Sequence, residues 1–339
     1  MAAKDEKILL AHGGGGRLTD ALIRHNIAPR FSNPSLNELA DAARLHLSSN
    51  RICFTTDSYV VKPLFFHGGD IGKLAVCGTI NDLAVCGARP VALSLGLIIE
   101  EGFEMALLEK ILDSAAAAAD SAGVSIVTGD TKVVEAGAAD QIFVNTSGVG
   151  ECLGGIELGF ERIRPGDRVL LSGTIGDHGM TIISQRQDIG FESKLVSDCA
   201  ALSPVTTKLL EAVPGVRFMR DPTRGGLAAT LNEIAVATKM NIEVIEQQIP
   251  VDKTVQAAAD VLGFDVLEIA NEGKFVAIVS AEYADAAIDV CRTHPLGAKA
   301  AVIGQVKQAE ESPVVEMVTG VGGRRIVQMP YGRELPRIC

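Results

Sequence analysis

The sequence lacks a basic run, a C-x-x-C pair and any apolar stretch long enough to span a membrane, and each absence excludes a class of function. With a net charge of −11 and no interleaving of basic and aromatic residues, binding to nucleic acid or to anionic membranes is not expected. Seven cysteines, an odd number, argue against a disulfide framework, and the missing C-x-x-C argues against structural zinc. Cys53, Cys77, Cys86, Cys152, Cys199 and Cys291 lie among apolar or small residues and are expected to be buried packing residues. The first residues, Met1 to Glu6, lack the apolar core of a secretory signal, so a cytoplasmic location is expected. No second histidine stands at metal-ligand spacing from His178, which is therefore read as a loop or helix-start residue.

What is present is the composition of a soluble enzyme: 339 residues, 47% hydrophobic and 22% charged. Short strands alternate with helices in both halves, so the fold class is α/β, with mixed α+β sheets. Strands are expected at Arg51 to Thr56, Pro90 to Ile99, Val124 to Val127 and Gln141 to Val149. Met105, Leu108, Ile111, Leu112 and Ala115 recur at helical spacing, predicting a helix to Ala122 that Gly123 stops. The turn Arg164-Pro165-Gly166-Asp167 precedes a strand from Arg168 to Ser172. Domains are expected at 1–155 and 156–329, with a mobile tail over 330–339. In the second domain, helices are expected near 203–213, 225–239, 251–262 and 281–293, and strands near 242–245, 274–280 and 300–306. A short β region is expected over 313–329.

Four aspartates in separate segments share one chemistry. Thr56-Asp57-Ser58 and Gly129-Asp130-Thr131-Lys132 are read as strand ends, Asn81-Asp82 falls in a helix, and Asp221-Pro222-Thr223 opens one. Convergent carboxylates make an oxygen-rich site suited to Mg²⁺, which binds through a few carboxylates and substrate phosphates. Each segment alone is equally compatible with a turn or cap. Gly13, Gly14, Gly15 and Gly16 form a run whose amides can line an anion, or a loose N-terminal segment. It is not a Walker A loop, because the Lys-Ser/Thr pair is missing. Glu272, in Asn271-Glu272-Gly273-Lys274, is a surface loop residue or, in a dry cleft, a general base. Lys132 is a solvated charge or the cation beside a reacting phosphate. The chain ends Pro336-Arg337-Ile338-Cys339, so a nucleophilic thiol can enter a site end-first.

Together these motifs resemble the aminoimidazole-ribonucleotide-synthetase (PurM-like) superfamily of ATP-dependent enzymes, and the terminal cysteine resembles its hydrogenase-maturation, carbamoyl-dehydratase branch. The resemblance runs from His12 to Cys339 with the motifs in the expected order. It implies a two-domain PurM-like fold that pairs into a homodimer, with ATP near the interface. It implies Asp57, Asp82 and Asp130 as ligands of Mg²⁺ on the triphosphate, Asp221 assisting, and the glycine run covering the phosphates. Thr56, Asn81, Gly129, Thr131 and Thr223 belong to the same nucleotide-binding motifs. It implies that a HypF-type carbamoyltransferase loads Cys339 and that a HypC–HypD complex receives the product. Glu272 is then the expected base, with Lys132 positioning it or stabilising charge on the substrate oxygen. Selenophosphate synthetase, thiamine-monophosphate kinase and a non-catalytic assembly factor tethering through Cys339 are the alternatives. Selenophosphate synthetase would place a reactive Cys near the glycine run, and residues 1–50 contain none.

Overall fold

A computed structural model describes residues 7–14, 16–40, 42–186, 195–309, 311–331 and 337–339. Two short helices, α1 (Arg17–Leu22) and α2 (Pro34–Asn37), lead into β1 (Ile52–Tyr59). A small hairpin of β2 (Phe65–Phe66) and β3 (Gly69–Asp70) follows. Then come α3 (Ile71–Val85), β4 (Ala88–Glu100), α4 (Met105–Ala122), β5 (Ser125–Val134) and β6 (Ile142–Cys152). Strands β1, β6, β4 and β5 form one sheet in that order, parallel only between β4 and β5.

The second half is built on a seven-stranded sheet. Its strands are β7 (Arg168–Leu171), β8 (Val216–Arg220), β9 (Met240–Ile245), β10 (Val276–Val279), β11 (Ala301–Gln308), β12 (Val315–Val318) and β13 (Arg324–Ile326). Their order is β13-β12-β9-β11-β7-β10-β8. The accompanying helices are α5 (Asp177–Arg186), α6 (Ser203–Ala212), α7 (Gly226–Thr238), α8 (Lys253–Leu262) and α9 (Ala284–Arg292). Among the described residues no helix is long and apolar enough to cross a membrane.

Helix α4 shows the expected stripe, with Met105, Leu108, Ile111, Leu112 and Ala115 all buried. It ends at Gly123, whose φ of 68° is the left-handed cap that glycine adopts without a Cβ clash. Helix α3 is different. It is buried almost all round, as a helix must be when β1 and β6 pack on one side and α4 and α6 on others. One of the few positions on it that is not fully buried is Asp82.

Three expectations need correction. Asp57 and Asp130 do not end their strands: β1 runs on to Tyr59 and β5 to Val134, because ladder partners on β6 and β4 continue past both aspartates. Cys86 is exposed rather than packed, since it caps α3 where Gly87 turns the chain away. Cys53 and Cys152 are half-buried, their sulfurs facing each other at 3.6 Å across β1 and β6.

Candidate active site

Side chains alternate between the faces of β1, so Thr55, Asp57 and Tyr59 point towards α3 while Thr56 and Ser58 point away. Thr55 Oγ1 donates to Asp82 Oδ2 at 2.7 Å, and Thr79 Oγ1 donates to Asp57 Oδ2 at 3.3 Å. These bonds put the Asp57 and Asp82 carboxylates side by side. Burial raises the Asp57 pKa to about 6, and the charge of Asp82 adds to the rise. Asp221 follows β8 from the second half and joins them. Its pKa is raised to about 7 by burial, with Asp82 the leading charge.

Glu272 closes this acidic group. It is buried, and burial lifts its pKa well above the carboxylate range, helped by Asp221, Asp198 and Asp57. Its backbone is clamped on both sides. Asp198 Oδ1 accepts from its N–H at 3.1 Å, and Asn81 Nδ2 donates to its carbonyl at 3.2 Å. Asn271 fixes the neighbouring turn by donating Nδ2 to Pro222 O at 2.8 Å, which holds Asp221 beside Glu272. Burial works against ionisation of Asp198, but Lys274 and the Glu272 N–H outweigh it and hold its pKa low. Lys274 Nζ lies 3.1 Å from Asp198.

The end of the chain enters the same cleft. Val60 N–H donates to Cys339 O at 3.2 Å and Lys62 N–H to Arg337 O at 3.0 Å, so the last residues extend alongside the segment following β1. Arg337 Nε donates to Val60 O at 2.6 Å, its guanidinium pairs with Asp140 and lies over the Phe143 ring. Arg337 sits at φ 59°, a left-handed conformation that a non-glycine residue holds only when its surroundings over-determine it. Ile338 is buried, and the Cys339 thiol is pushed up to about 12 by burial, with Glu272 and Asp57 adding and Arg224 opposing. A terminal thiol therefore faces a group of acids held in place by both halves of the chain.

Comparison with known proteins shows the family. Residues 39–152 match the AIR synthase related protein, N-terminal domain, and residues 164–316 match the C-terminal domain of the same family. The carbamoyl dehydratase HypE of Azotobacter vinelandii is 49% identical over 336 residues, covering 99% of this chain and 98% of its own. A crystal structure of hydrogenase maturation protein HypE in complex with ATP superposes with a TM-score of 0.94 at 48% identity, covering 98% of this chain and 99% of that one. The chain belongs to the HypE family. A crystal structure of a HypE–HypF complex matches with a TM-score of 0.80 at 44% identity, covering 93% of this chain and 100% of that one.

In this HypE-family chain two of the expected residues stand apart. Ser58, Asn145, Gly96 and Asp130 form one row across the sheet, and Asp57, Thr146, Leu95 and Gly129 form the next. The one-residue offset puts Asp130 on the opposite face from Asp57, about 14 Å away at the other sheet edge, given three strand spacings. Lys132 shares the Asp130 face and pairs with it at 3.0 Å, which holds the Asp130 pKa low. Within one chain Lys132 thus does not reach Glu272, contrary to the sequence-based expectation; the positive charge that acts on the Cys339 thiol is that of Arg224.

Asn81 is also differently employed. Its side chain bonds Ala200 O, Glu272 O and Leu202 N–H, so it joins the two halves rather than facing the cleft. Thr56 lies on the outer face, donating to Thr146 O at 3.1 Å, and Thr131 and Gly129 line a cavity of about 450 Å³ beneath α1 and α2. That cavity has an apolar floor including Phe31, Leu36 and Leu97, and Gly13 and Lys132 at its rim. Gly13 takes part through close approach: a Cβ there would lie 2.6 Å from Val133 N. Gly13, Gly14 and Gly16 are not among the glycines with positive φ, and Gly15 lies outside the described residues. Thr223 accepts the Gly226 N–H through its carbonyl at 2.9 Å, closing the turn after Asp221.

Tyr59, Asp198, Arg224 and His178 were not singled out as site residues from sequence. Asp198 and Tyr59 carry no motif signal. Arg224 lies inside the Asp221 motif, and His178 inside Gly176-Asp177-His178-Gly179, where the glycines were a legible sign of close packing.

Proposed function

We propose that this chain catalyses ATP-dependent dehydration of a carbamoyl group carried on its own Cys339, giving a thiocyanate that supplies cyanide to the Fe(CN)₂CO unit of [NiFe]-hydrogenases. The observation that carries the reading is the half-buried Cys339, which a docked tail brings within the electrostatic reach of Glu272 and Asp57.

The bond changes define what the site must do. Turning S–C(=O)–NH₂ into S–C≡N removes the oxygen and two N–H protons. Oxide cannot leave, so the carbamoyl oxygen first attacks the γ-phosphate of ATP and departs as phosphate, leaving ADP. Such phosphoryl transfer depends on positioning and charge neutralisation. Asp57, Asp82 and Asp221 are suited to Mg²⁺: Asp57 and Asp221 are desolvated and the charge of Asp82 acts on both, a repulsion that a cation relieves. Among the described residues no three His, Cys, Asp or Glu side chains enclose a metal by themselves. When bound, Mg²⁺ supplies charge neutralisation at the γ-phosphate. Glu272 takes nitrogen protons, and burial beside Asp221 and Asp198 raises its affinity for a proton. Arg224 is the cation assigned to the substrate oxygen.

The 450 Å³ cavity, apolar inside and rimmed by Gly13 and Lys132, suits a nucleoside with its phosphates at the mouth. The working form is a cytoplasmic homodimer. Ile52, Phe54 and Ile98 are exposed on the sheet face that carries Asp130 and Lys132. A second copy on that face would cover them and bring its own Asp130 and Lys132 towards the β1 edge, completing a site that one chain leaves open. A HypF-type carbamoyltransferase loads Cys339, a partnership supported by the HypE–HypF complex of a relative. A HypC–HypD complex accepts the product.

The test is intact mass of the C-terminal peptide from carbamoylated protein, before and after Mg-ATP. Loss of one water at Cys339, only with ATP, is the expected result. A stably carbamoylated tail would reduce the protein to a carrier.

A further inference from the structure

His178 is fully buried at the first turn of α5 and both of its ring nitrogens are engaged. Nε2 lies 2.8 Å from the Ile338 carbonyl oxygen, and Nδ1 lies 2.8 Å from Ser197 Oγ. A carbonyl oxygen only accepts, so Nε2 carries the hydrogen. Burial lowers the His178 pKa and favours the neutral ring, leaving Nδ1 as an acceptor for the Ser197 hydroxyl. Ser197 Oγ in turn accepts the Cys199 N–H at 3.1 Å. The relay Cys199 N–H, Ser197 O–H, His178 Nδ1 fixes one tautomer and aims the other nitrogen at the tail. The Phe66 ring, edge-on at 5.4 Å, closes the other side of the imidazole.

The residue beside Ser197 is Asp198, whose carboxylate accepts the backbone N–H groups of Glu272 and Gly273 at 3.1 and 3.2 Å. One dipeptide therefore holds both the ring that grips the tail and the backbone that carries the acid. We infer that His178, with its tautomer set by Ser197, is the positioning residue that seats the carrier tail and fixes the register of Cys339 over Glu272. This deepens the dehydratase reading and rests on it. The gripped atom is the backbone carbonyl of the residue before the carrier, so the grip is independent of what the Cys339 sulfur carries. It is released whenever the tail swings out to be loaded.

The experiment compares His178→Ala, His178→Gln and wild type in the full-length protein. Iodoacetamide labelling of Cys339 is read by mass and normalised to the exposed Cys86 in the same molecule. Loss of the grip is expected to raise the Cys339 to Cys86 ratio by about two- to tenfold, the population shift one net hydrogen bond carries. Gln, which keeps a donor near the Nε2 position, is expected to restore it. With carbamoylated protein, His178→Ala is expected to slow ATP-dependent water loss while the extent of loading stays at the wild-type level. A merely structural histidine would lower the melting temperature in both variants and leave the ratio unchanged, which would overturn the proposal. If His178→Ala does not fold, Ser197→Ala, which removes the tautomer lock and the bond from the Cys199 N–H but keeps the ring, is judged by the same ratio. If wild type itself never loses water, the dehydratase reading fails, while the labelling ratio still decides the grip.

Discussion

Asn81, on the central helix of the first domain, donates its amide to the backbone carbonyl of Glu272 in the second, 3.2 Å away. The same side chain accepts the Leu202 N–H at 2.7 Å and donates to Ala200 O at 3.0 Å. One buried amide thus joins the two halves at the place where the acidic group forms. Asn81→Ala leaves the Ala200 carbonyl and the Leu202 N–H unpaired, while the Glu272 carbonyl keeps the Ala200 N–H, and is expected to cost about 1–3 kcal/mol. Urea unfolding measures that loss. ATP affinity, by calorimetry, is expected to stay near wild type, and a large loss of affinity would return Asn81 to the nucleotide site.

Glu272→Gln keeps the shape of a buried side chain and removes its ability to take a proton. Water loss from carbamoylated Cys339 is expected to slow by about 10²–10⁴, the usual contribution of a positioned general base. Loading of the tail by the carbamoyltransferase is expected to be unaffected. Single-turnover mass spectrometry separates the two steps, and a wild-type dehydration rate removes Glu272 from this role.

The row offset between Asp57 and Asp130 predicts complementation between inactive chains. In the proposed homodimer, Asp57→Ala and Asp130→Ala proteins are each expected to be inactive. Mixed and re-equilibrated, half of the dimers would be hybrids with one intact site, so about a quarter of wild-type activity returns. A mixture as inactive as its parents would mean that both aspartates serve from a single chain.

Asp57 and Asp221 have folded-state pKa values of about 6 and about 7, both above the ordinary value of 3.8. The folded state thus favours their protonated forms. The stability they contribute is full below about pH 4 and is lost as pH rises through 6 and 7. The melting temperature of nucleotide-free protein is expected to fall across that window more than in an Asp57→Asn, Asp221→Asn double variant. Mg-ATP is expected to flatten the profile, because a cation between the carboxylates removes their repulsion. Scanning calorimetry from pH 5 to pH 8 checks both statements. Parallel curves for the two proteins would contradict them.

Helical periodicity alone located α4 and its glycine stop, because an amphipathic stripe and a left-handed cap are local properties of the chain. The β1 and β5 strands were legible but their ends were not. Asp57 and Asp130 look like turn residues, and only hydrogen-bonded partners on β6 and β4 carry the strands past them. Glu272 stood out within its motif, whereas Asp198, which holds its backbone, lies in a segment with no pattern. Asn81 was read as part of a nucleotide-binding motif, since nothing in the sequence shows that its amide is consumed by three backbone partners.

The sequence by itself determined the family, the two-domain α/β order, the acidic and glycine-rich motifs and a thiol on the last residue. These follow from residue type and spacing along the chain. Tertiary structure alone decided which motifs meet. Strand register set Asp57 and Asp130 on opposite faces through a difference of one residue. Packing of α5 against the docked end brought His178, some 160 residues away in sequence, onto the Ile338 carbonyl. Burial then raised the pKa values of Asp57, Asp221, Glu272 and Cys339, because desolvation depends on what surrounds a group in space and not on its neighbours along the chain.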